Sequence, residues 1–453
     1  MSNKIITRNP FSGEVLKEYA LFNDEEIKSI LHTSDNVFNE WKKKPLKNRV
    51  KLLNKLADIL HDQKVKYANL ISQEMGKPYK ESISEIEKCI SLIEFYEKNA
   101  EMFLADELIK TDARESFISY DPLGCILAIM PWNYPFWQVM RFAVPTITAG
   151  NTVLLKHANN VTGCALVIQD LFKEAGYPKG CFQNVLATHE QVEEIITNDL
   201  VKAVSLTGSE KAGRAIAKVA GNSLKKTVLE LGGNNACIIW NDADLDKYLQ
   251  VIVKARFQNA GQSCIAAKRF IVEDEIYDLF LEKFKKALKN IKIGDPLHSE
   301  TELATLARID LAEGVEHQVT ESIKKGARVV VGNKRDKAFF EPTILTDVTP
   351  GMPVFDEEVF GPVAAIIRAK DKEHSIQLAS ESNYGLGTML FTENIDKAKK
   401  EITKIEDGAF FINEMVKSDP RLPFGGTKAS GYGRELSKEG ILEFVNKKTV
   451  YIK

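Results

Sequence analysis

The spacing of apolar residues in the first hundred positions predicts helices. From Asp24 onward, five apolar residues fall on one face of a helix: Ile27, Ile30, Leu31, Phe38 and Trp41. Two further stretches have the same period, the first containing Leu52, Leu53, Leu56, Ala57 and Leu60 and the second Ile83, Ile86, Ile90 and Ile93. The first of these is expected to run on towards Met75, where Gly76-Lys77-Pro78 ends it. We therefore expect this region to be mostly helical.

The pattern changes after residue 124 to short apolar runs that alternate with helical stretches. The predicted strands are residues 125–130, 152–155, 201–206 and 227–230, and the predicted helices between them lie near residues 165–172, 192–196 and 212–219. Such alternation is typical of a parallel sheet with crossover helices. Nucleotides bind this architecture at the carboxyl ends of its strands.

A second series of strands and helices follows the turn Leu231-Gly232-Gly233. Its predicted strands are residues 235–240, 269–272, 328–331, 364–367, 388–391 and 409–412, and its clearest helices are residues 244–258 and 278–288. These elements are enough for a second α/β domain. We therefore expect a domain boundary at residues 231–233.

Length, charge and cysteine usage narrow the possible classes of protein. A chain of 453 residues is expected to form two or three domains. Its formal charge of −2 shows no bias towards nucleic acid or anionic membranes. The six cysteines have no metal-like spacing, the first residues lack a signal-peptide core, and no run of about 18 apolar residues is present. These features favour the reducing cytoplasm, with no metal and no membrane span.

The first candidate for chemistry is Cys264, which follows the small, polar stretch Gln258-Asn259-Ala260-Gly261-Gln262-Ser263. Gly261 allows a turn between the predicted helix and the next strand. A thiol at such a turn can act as a covalent nucleophile if its thiolate form is favoured. A lone cysteine is, however, more often a small buried hydrophobe.

Polar side chains at predicted strand ends give further candidates. Glu230 ends an apolar strand, where a carboxylate is costly unless it has a partner or a role. Asn133, in Pro131-Trp132-Asn133-Tyr134-Pro135, offers an amide that could stabilise an oxyanion. Lys156 also ends a strand, and Thr207-Gly208-Ser209 leads into a helix whose N-terminus could bind phosphate. Each alone also fits an ordinary structural role: a satisfied carboxylate, an aromatic core loop, a surface lysine or a helix cap.

Taken together, these segments resemble the aldehyde dehydrogenase superfamily over nearly the whole chain. The matching motifs are Glu74-Met75-Gly76-Lys77-Pro78, Pro131-Trp132-Asn133-Tyr134-Pro135, Leu206-Thr207-Gly208-Ser209, Leu229-Glu230-Leu231-Gly232-Gly233, Gly261-Gln262-Ser263-Cys264, Glu358-Val359-Phe360-Gly361-Pro362 and Pro423-Phe424-Gly425-Gly426. Leu206 is a small departure, because the family more often has phenylalanine there. Several motifs in the family's order are far more specific than any one of them.

The resemblance implies a role for each of these residues. Cys264 would attack the aldehyde, Asn133 and the Cys264 N–H would hold the oxyanion, and Glu230 would activate the water that hydrolyses the thioester. The cofactor, NAD or NADP, would be bound by Trp132, Lys156, Asn159, Thr207, Gly208, Ser209, Glu358 and Phe360. Asn159 stands where NAD-preferring members often have a carboxylate, so we expect NADP to be accepted.

Within the superfamily the chain is similar to the shorter bacterial succinate-semialdehyde dehydrogenases, through residues 132–141 and 156–158. This similarity implies that Arg141, Trp137 and Ser263 bind the substrate, with the Arg141 fork on its far carboxylate. A structural ion pair is the alternative role for Arg141. Gln258 replaces a second arginine found in longer relatives, so another small aldehyde stays possible as the substrate.

The resemblance also implies a three-part fold. A Rossmann-type cofactor domain would comprise residues 1–102 and 122–231, an α/β catalytic domain residues 232–435, and an oligomerisation element residues 103–121 and 436–453. That element would combine a hairpin near residues 116–120 with the apolar C-terminal strand, which could add to a partner's sheet edge in a homodimer or homotetramer. Two other functions fit the same fold, namely transfer of the thioester to coenzyme A and a non-catalytic binding or structural role.

Overall fold

A computed structural model describes residues 4–453, so that Met1–Asn3, where the first predicted domain begins, lie outside the described residues. The first elements are β1 (Lys4–Arg8), β2 (Val15–Ala20), α1 (Asp24–Trp41), α2 (Leu46–Asp62), α3 (Lys64–Met75), α4 (Tyr79–Phe103), β3 (Glu107–Leu108) and β4 (Glu115–Pro122). The predicted helices are present, but the second is divided at Gln63, whose backbone leaves helical geometry (φ −103°, ψ 11°). The β1–β2 hairpin was not predicted, because β2 is largely exposed and lacks a buried apolar stripe.

The next segment builds a parallel sheet. Its elements are β5 (Cys125–Met130), α5 (Trp137–Thr148), β6 (Thr152–His157), α6 (Thr162–Glu174), β7 (Phe182–Asn184), α7 (His189–Thr197), β8 (Val201–Thr207), α8 (Glu210–Asn222) and β9 (Lys226–Glu230), with a 3₁₀ turn at Asn159–Val161. The strands lie in the order β9-β8-β5-β6-β7 and are all parallel. The order reverses between β5 and β8, which is the point where α/β sheets bind nucleotides.

A larger sheet forms from the following residues. Its elements are β10 (Ala236–Ile239), α9 (Leu245–Phe257), β11 (Arg269–Glu273), α10 (Asp274–Leu288), α11 (Ile309–Lys324), β12 (Arg328–Val331), β13 (Arg335–Asp336), β14 (Phe339–Phe340), β15 (Thr343–Thr346), α12 (Pro353–Asp356), β16 (Val363–Ala369), α13 (Lys372–Ser380), β17 (Tyr384–Gly385), β18 (Thr388–Phe391), α14 (Ile395–Lys399) and β19 (Phe410–Ile412), with 3₁₀ turns at Gln258–Gly261 and Ile402–Lys404. The sheet has the order β12-β15-β16-β11-β10-β18-β19. The turn at residues 231–233 lies between the two sheets, and the exact domain borders stay a prediction.

The last segment returns to the first half of the chain. It contains β20 (Thr427–Lys428), β21 (Gly431–Tyr432), α15 (Ser437–Leu442) and β22 (Val445–Ile452). β21 pairs with the end of β9, opposite Glu230. β22 pairs along its whole length with β4 of the same chain, in a three-stranded sheet with β3. The predicted tail strand is therefore present, in one sheet with the predicted hairpin strand β4, and its addition to a partner's sheet edge stays a prediction.

Helix α5 lies at the centre of the molecule. All twelve of its residues are buried, and it packs between the N-terminal helices and the first sheet. An environment with no exposed side leaves its polar side chains only protein partners or internal cavities. The first turns of α5 therefore place Trp137, Gln138 and Arg141 inside the protein, next to the loop that follows β5.

Candidate active site

The turn before Cys264 has an unusual backbone. Helix α9 ends at Phe257, and Asn259, Ala260 and Gly261 then follow with positive φ angles of 54°, 52° and 74°. This left-handed conformation is unfavourable for alanine. At Gly261 a Cβ would collide with the carbonyl oxygen of Gly361, so only glycine fits. The strained turn needs support from the residues around it.

That support comes from a network that ties the turn to the loop after β5. The Asn259 N–H donates to Glu81 Oε2 (2.7 Å), and Asn259 Nδ2 donates to the Asn133 carbonyl (2.8 Å). Asn133 Nδ2 in turn donates to the Gln262 carbonyl (3.0 Å). An amide nitrogen has two protons, so one remains for another acceptor. Asn133 is thus fixed beside the Cys264 turn with a donor to spare.

The thiol of Cys264 is half-buried and protonated at neutral pH. Burial raises its pKa to about 11, which outweighs the opposing effects of Arg141 and Lys268. The carboxylates of Glu358 and Glu230 raise it further. The condition that the thiolate be favoured is therefore not met in the resting protein, and activation requires that the thiol lose its proton when substrate and cofactor are present.

Lys268 holds the backbone on either side of the nucleophile's peptide bond through hydrogen bonds. Its fully buried Nζ donates to the carbonyls of Ser263 (2.7 Å) and Cys264 (2.6 Å) and lies 3.3 Å from a carboxylate oxygen of Glu358. The lysine thus links the Cys264 turn to a residue expected at the cofactor. We did not single it out from the sequence, although a charged residue within the apolar stretch 265–272 was a signal.

Glu230 is a buried acid without a partner. It ends β9, and neither of its carboxylate oxygens has a hydrogen-bond partner among residues 4–453. Burial, and then the negative charge of Glu435, raise its pKa well above the usual range. A Cβ on Gly425 would lie 2.8 Å from Glu230 Oε1, so the acid is packed against bare backbone. Burial therefore favours the neutral carboxylic acid form of Glu230.

Arg141 forms a buried ion pair with Glu435. Its guanidinium also donates to Thr207 Oγ1 (3.4 Å) and lies 4.7 Å from the centre of the Phe424 ring. The structural ion pair considered as its alternative role is thus present, while its contact with a substrate stays a prediction. Glu435 was not identified from the sequence, because nothing local to Gly433-Arg434-Glu435 indicates a partner nearly three hundred residues away.

A cavity of about 370 Å³ opens where β5 and β8 end, and we call it the strand-end crevice. It brings together eight of the residues selected from the sequence: Trp132, Asn133, Thr207, Gly208, Ser209, Cys264, Glu358 and Phe360. The rings of Trp132 and Phe360 meet edge to face, with 5.7 Å between their centres. The crevice therefore coincides with the reversal of strand order, where a nucleotide is expected.

The walls of the strand-end crevice fit a dinucleotide. Helix α8 begins directly after Ser209, whose hydroxyl caps the helix by accepting from the Ala212 N–H (3.3 Å). The N-terminus of a helix favours the binding of phosphate. Glu358, suited to a ribose hydroxyl, accepts from the Gly233 N–H (3.0 Å). A Cβ on Gly232 would collide with Glu358 Oε2. The bare backbone of Gly232 thus leaves room for the Glu358 carboxylate in the wall of the crevice.

Lys156 and Asn159 do not line the strand-end crevice. Lys156 is the second-last residue of β6, the next strand along the sheet, and its Nζ donates to Asn159 Oδ1 (3.2 Å). The neighbouring His157 is a packed core residue: it accepts from the Ala158 N–H at Nδ1 and faces the Pro135 carbonyl at Nε2, and burial lowers its pKa to about 4. Lys156 and Asn159, unlike His157, are therefore available for a ligand that extends past the crevice.

A second cavity, of about 230 Å³, lies between α4, α5 and the loop after β19, and we call it the α4–α5 cavity. Its wall includes Trp137, Arg141 and Ser263, the three predicted substrate residues, and also Gln258. Cys264 and Gln138 line both cavities. The nucleophile therefore stands at the boundary between the two spaces.

Clusters of metal ligands and membrane-spanning helices are both absent among residues 4–453. No three side chains of His, Cys, Asp or Glu are grouped so that they could hold a metal ion. None of the described helices combines the length and apolar character needed to cross a membrane.

Comparison with known proteins gives consistent matches over the whole chain. The sequence profile of the aldehyde dehydrogenase family matches residues 1–450. A Synechocystis protein named as a probable NADP⁺ succinate-semialdehyde dehydrogenase is 46% identical, with 99% of each chain covered. An Escherichia coli succinate semialdehyde dehydrogenase, named for NAD(P)⁺, is 42% identical over 98% of this chain and 97% of its own.

Solved structures agree with these relatives. The succinic semialdehyde dehydrogenase of Streptococcus pyogenes, determined with NADP⁺, superimposes with a TM-score of 0.97 at 38% identity, covering 99% of both chains. The structure of Gox0499, a protein described for its selection of cofactor and substrate, superimposes with a TM-score of 0.98 at 40% identity. The match covers 100% of both chains. The predicted fold class is confirmed.

Proposed function

Because the chain belongs to the aldehyde dehydrogenase family, whose members oxidise aldehydes with NAD(P), we propose that it converts succinate semialdehyde to succinate. The observation that carries this proposal is the position of Cys264 in the wall shared by the strand-end crevice and the α4–α5 cavity. A nucleophile at this boundary can reach an aldehyde from one side while the cofactor approaches from the other. The names of the most similar relatives support the choice of aldehyde.

In the proposed reaction the Cys264 thiol gives up its proton to solvent water, and its sulfur adds to the aldehyde carbon and forms a C–S bond. The free amide proton of Asn133 and the Cys264 N–H would donate to the resulting oxyanion. The strand-end crevice would hold NADP or NAD, which would supply the acceptor for the hydride that leaves the aldehyde carbon. The thioester left on Cys264 is then hydrolysed by a water molecule whose proton passes to Glu230 in its carboxylate form. The products are the acid, the reduced cofactor and a proton.

We propose that NADP is accepted and preferred over NAD. Trp132, Thr207, Gly208, Ser209, Glu358 and Phe360 would hold the cofactor along the crevice. The Lys156–Asn159 pair would meet its adenosine ribose. This pair has a cation and a neutral amide and no carboxylate, so it would attract a 2′-phosphate rather than repel it.

We also infer a homodimer or homotetramer in the reducing cytoplasm. The six cysteines are all free, and five of them are buried. The sheet of β22, β4 and β3 leaves exposed apolar side chains along one side of the molecule, among them Leu108, Tyr451 and Ile452. Such residues are typical of an interface between subunits.

Steady-state rates would test the function directly. The substrates are succinate semialdehyde and butanal, which has the same four-carbon chain without the carboxylate, each with NADP and with NAD. We expect kcat/KM to be highest with succinate semialdehyde and NADP and unchanged by coenzyme A. Equal rates with both aldehydes would contradict the substrate assignment, and product appearing only with coenzyme A would indicate an acylating enzyme.

A further inference from the structure

Lys88 is a cation in the α4–α5 cavity that forms no ion pair with residues 4–453. It lies on α4, half-buried, and borders the same space as Trp137 and Cys264. Its Nζ donates to Ser418 Oγ (2.7 Å) and lies 4.1 Å from the centre of the Trp137 ring. Both partners are uncharged, and no carboxylate of residues 4–453 forms an ion pair with Lys88.

The acids nearest to Lys88 are committed to other groups. Glu85, one turn earlier on α4, forms an ion pair with Lys77 and accepts from the N–H groups of Phe136 and Trp137. Asp419 accepts hydrogen bonds from Nε and Nη2 of the Arg421 guanidinium. A desolvated ammonium without a charged partner is costly, and an anion that enters the cavity would remove that cost.

The other charged residues of the cavity are also balanced or lie apart from Lys88. Arg141 is neutralised by Glu435, and Lys417 by Glu414 (2.9 Å). The acid Glu81 is engaged by the Asn259 N–H, and it lies with Lys254 towards a neighbouring surface pocket that Lys88 does not border. Lys254 is exposed to solvent, so Lys88 is the unpaired cation of this wall that is partly shielded from water.

We propose that Lys88, with Ser418, binds the carboxylate of the substrate while its aldehyde group lies at Cys264. This inference rests on the proposed oxidation of an acid-bearing aldehyde, and it assigns to Lys88 the anion recognition that the sequence assigned to Arg141. The ammonium donates one hydrogen bond to the carboxylate and keeps its position over Trp137. Neutral aldehydes enter the same cavity without this contact.

The test compares Lys88→Met with the wild type on succinate semialdehyde and on butanal. Methionine keeps most of the unbranched stem and removes the charge. We expect kcat/KM for succinate semialdehyde to fall by about 10- to 100-fold, as for loss of a charge-assisted hydrogen bond, mainly through KM. With butanal we expect a change of less than about threefold, within what altered packing produces.

Two further variants serve as controls. Lys417→Met removes a lysine from the same wall that already has a carboxylate partner, and it should leave both substrates within about twofold of wild type. Lys88→Arg keeps the charge and should retain most of the preference for the acid. These variants separate the charge of Lys88 from general effects on the cavity.

Each outcome bears on one proposal. If the wild type prefers succinate semialdehyde and Lys88→Met keeps that preference, or loses activity equally with both aldehydes, the role of Lys88 is contradicted and the proposed function stands. If the wild type does not distinguish the two aldehydes, the proposed function itself is contradicted. If Lys88→Met selectively loses kcat/KM for succinate semialdehyde and Lys88→Arg retains it, both the role of Lys88 and the proposed function are supported.

Discussion

The two cavities that meet at Cys264 are built in different ways. The strand-end crevice is formed by turns that directly follow strands and by backbone left bare at Gly232 and Gly233. The α4–α5 cavity is formed by side chains from separate parts of the chain, whose charges are mostly cancelled by partners outside the cavity. The first depends on local geometry, and the second depends on long-range charge pairing.

This difference determines how each cavity should respond to substitution. In the strand-end crevice one added methyl group closes a necessary space. In the α4–α5 cavity the removal of a charge leaves its former partner buried and unpaired, so the effect depends on which partner remains. Arg141 and Lys88 border the same space and should therefore behave differently, since one has a carboxylate partner and the other has none.

The largest effect is expected from Arg141→Ala. This change leaves Glu435 without its cation close to Glu230, and both pKa values, already raised by burial, would rise further. A smaller fraction of Glu230 would then be in the carboxylate form that accepts the proton from water. We expect kcat to fall about 100-fold with succinate semialdehyde and with butanal alike, measured at saturating NADP.

A loss of activity confined to succinate semialdehyde would instead indicate that Arg141 binds the carboxylate of the substrate. The double variant Arg141→Ala with Glu435→Gln is the matched control, because it removes the stranded acid together with the cation. Part of kcat should return in that variant if the unpaired charge is the cause.

Local motifs made the strand-end crevice predictable. Asn133 follows the apolar strand β5 and Thr207 ends the apolar strand β8, and parallel strands bring their carboxyl ends to one edge of a sheet. Cys264 was indicated by the turn that precedes it. Neighbours in sequence were enough to place these residues, although their roles came from the resemblance to a family.

The α4–α5 cavity could not be predicted in the same way. Lys88 meets Ser418 across 330 positions, and nothing near either residue indicates the other. The periodicity of α4 places residues on a helix face but does not say which lysine lacks a counter-ion. The ion pair of Arg141 with Glu435 and the contacts of Lys268 were missed for the same reason, since tertiary packing alone creates them.

A smaller effect is expected from Gly232→Ala in the strand-end crevice. A Cβ at this position would collide with Glu358 Oε2, so the carboxylate must move away from the place where it would meet the ribose. We expect KM for NADP to rise about tenfold while KM for the aldehyde changes little. Cofactor titrations by protein fluorescence would measure the loss without turnover, and an equal rise in both KM values would show that the two cavities are not independent.

The smallest effect is a pH dependence confined to the acid-bearing substrate. Burial, and then the neighbouring charge of Arg141, lower the pKa of Lys88 to about 8, against the opposing influence of Cys89, Glu85 and Asp419. The ammonium is therefore present below that pH and is lost as pH rises through it. KM for succinate semialdehyde should increase about twofold at pH 8 and towards tenfold at pH 9 relative to pH 6.5.

KM for butanal, measured in parallel, should stay constant over this pH range, because titration of Cys264 and Glu230 affects both aldehydes equally. The same rise with butanal would assign the titration to a group other than Lys88, and Lys88→Arg, which keeps its charge over this range, should remove the rise altogether.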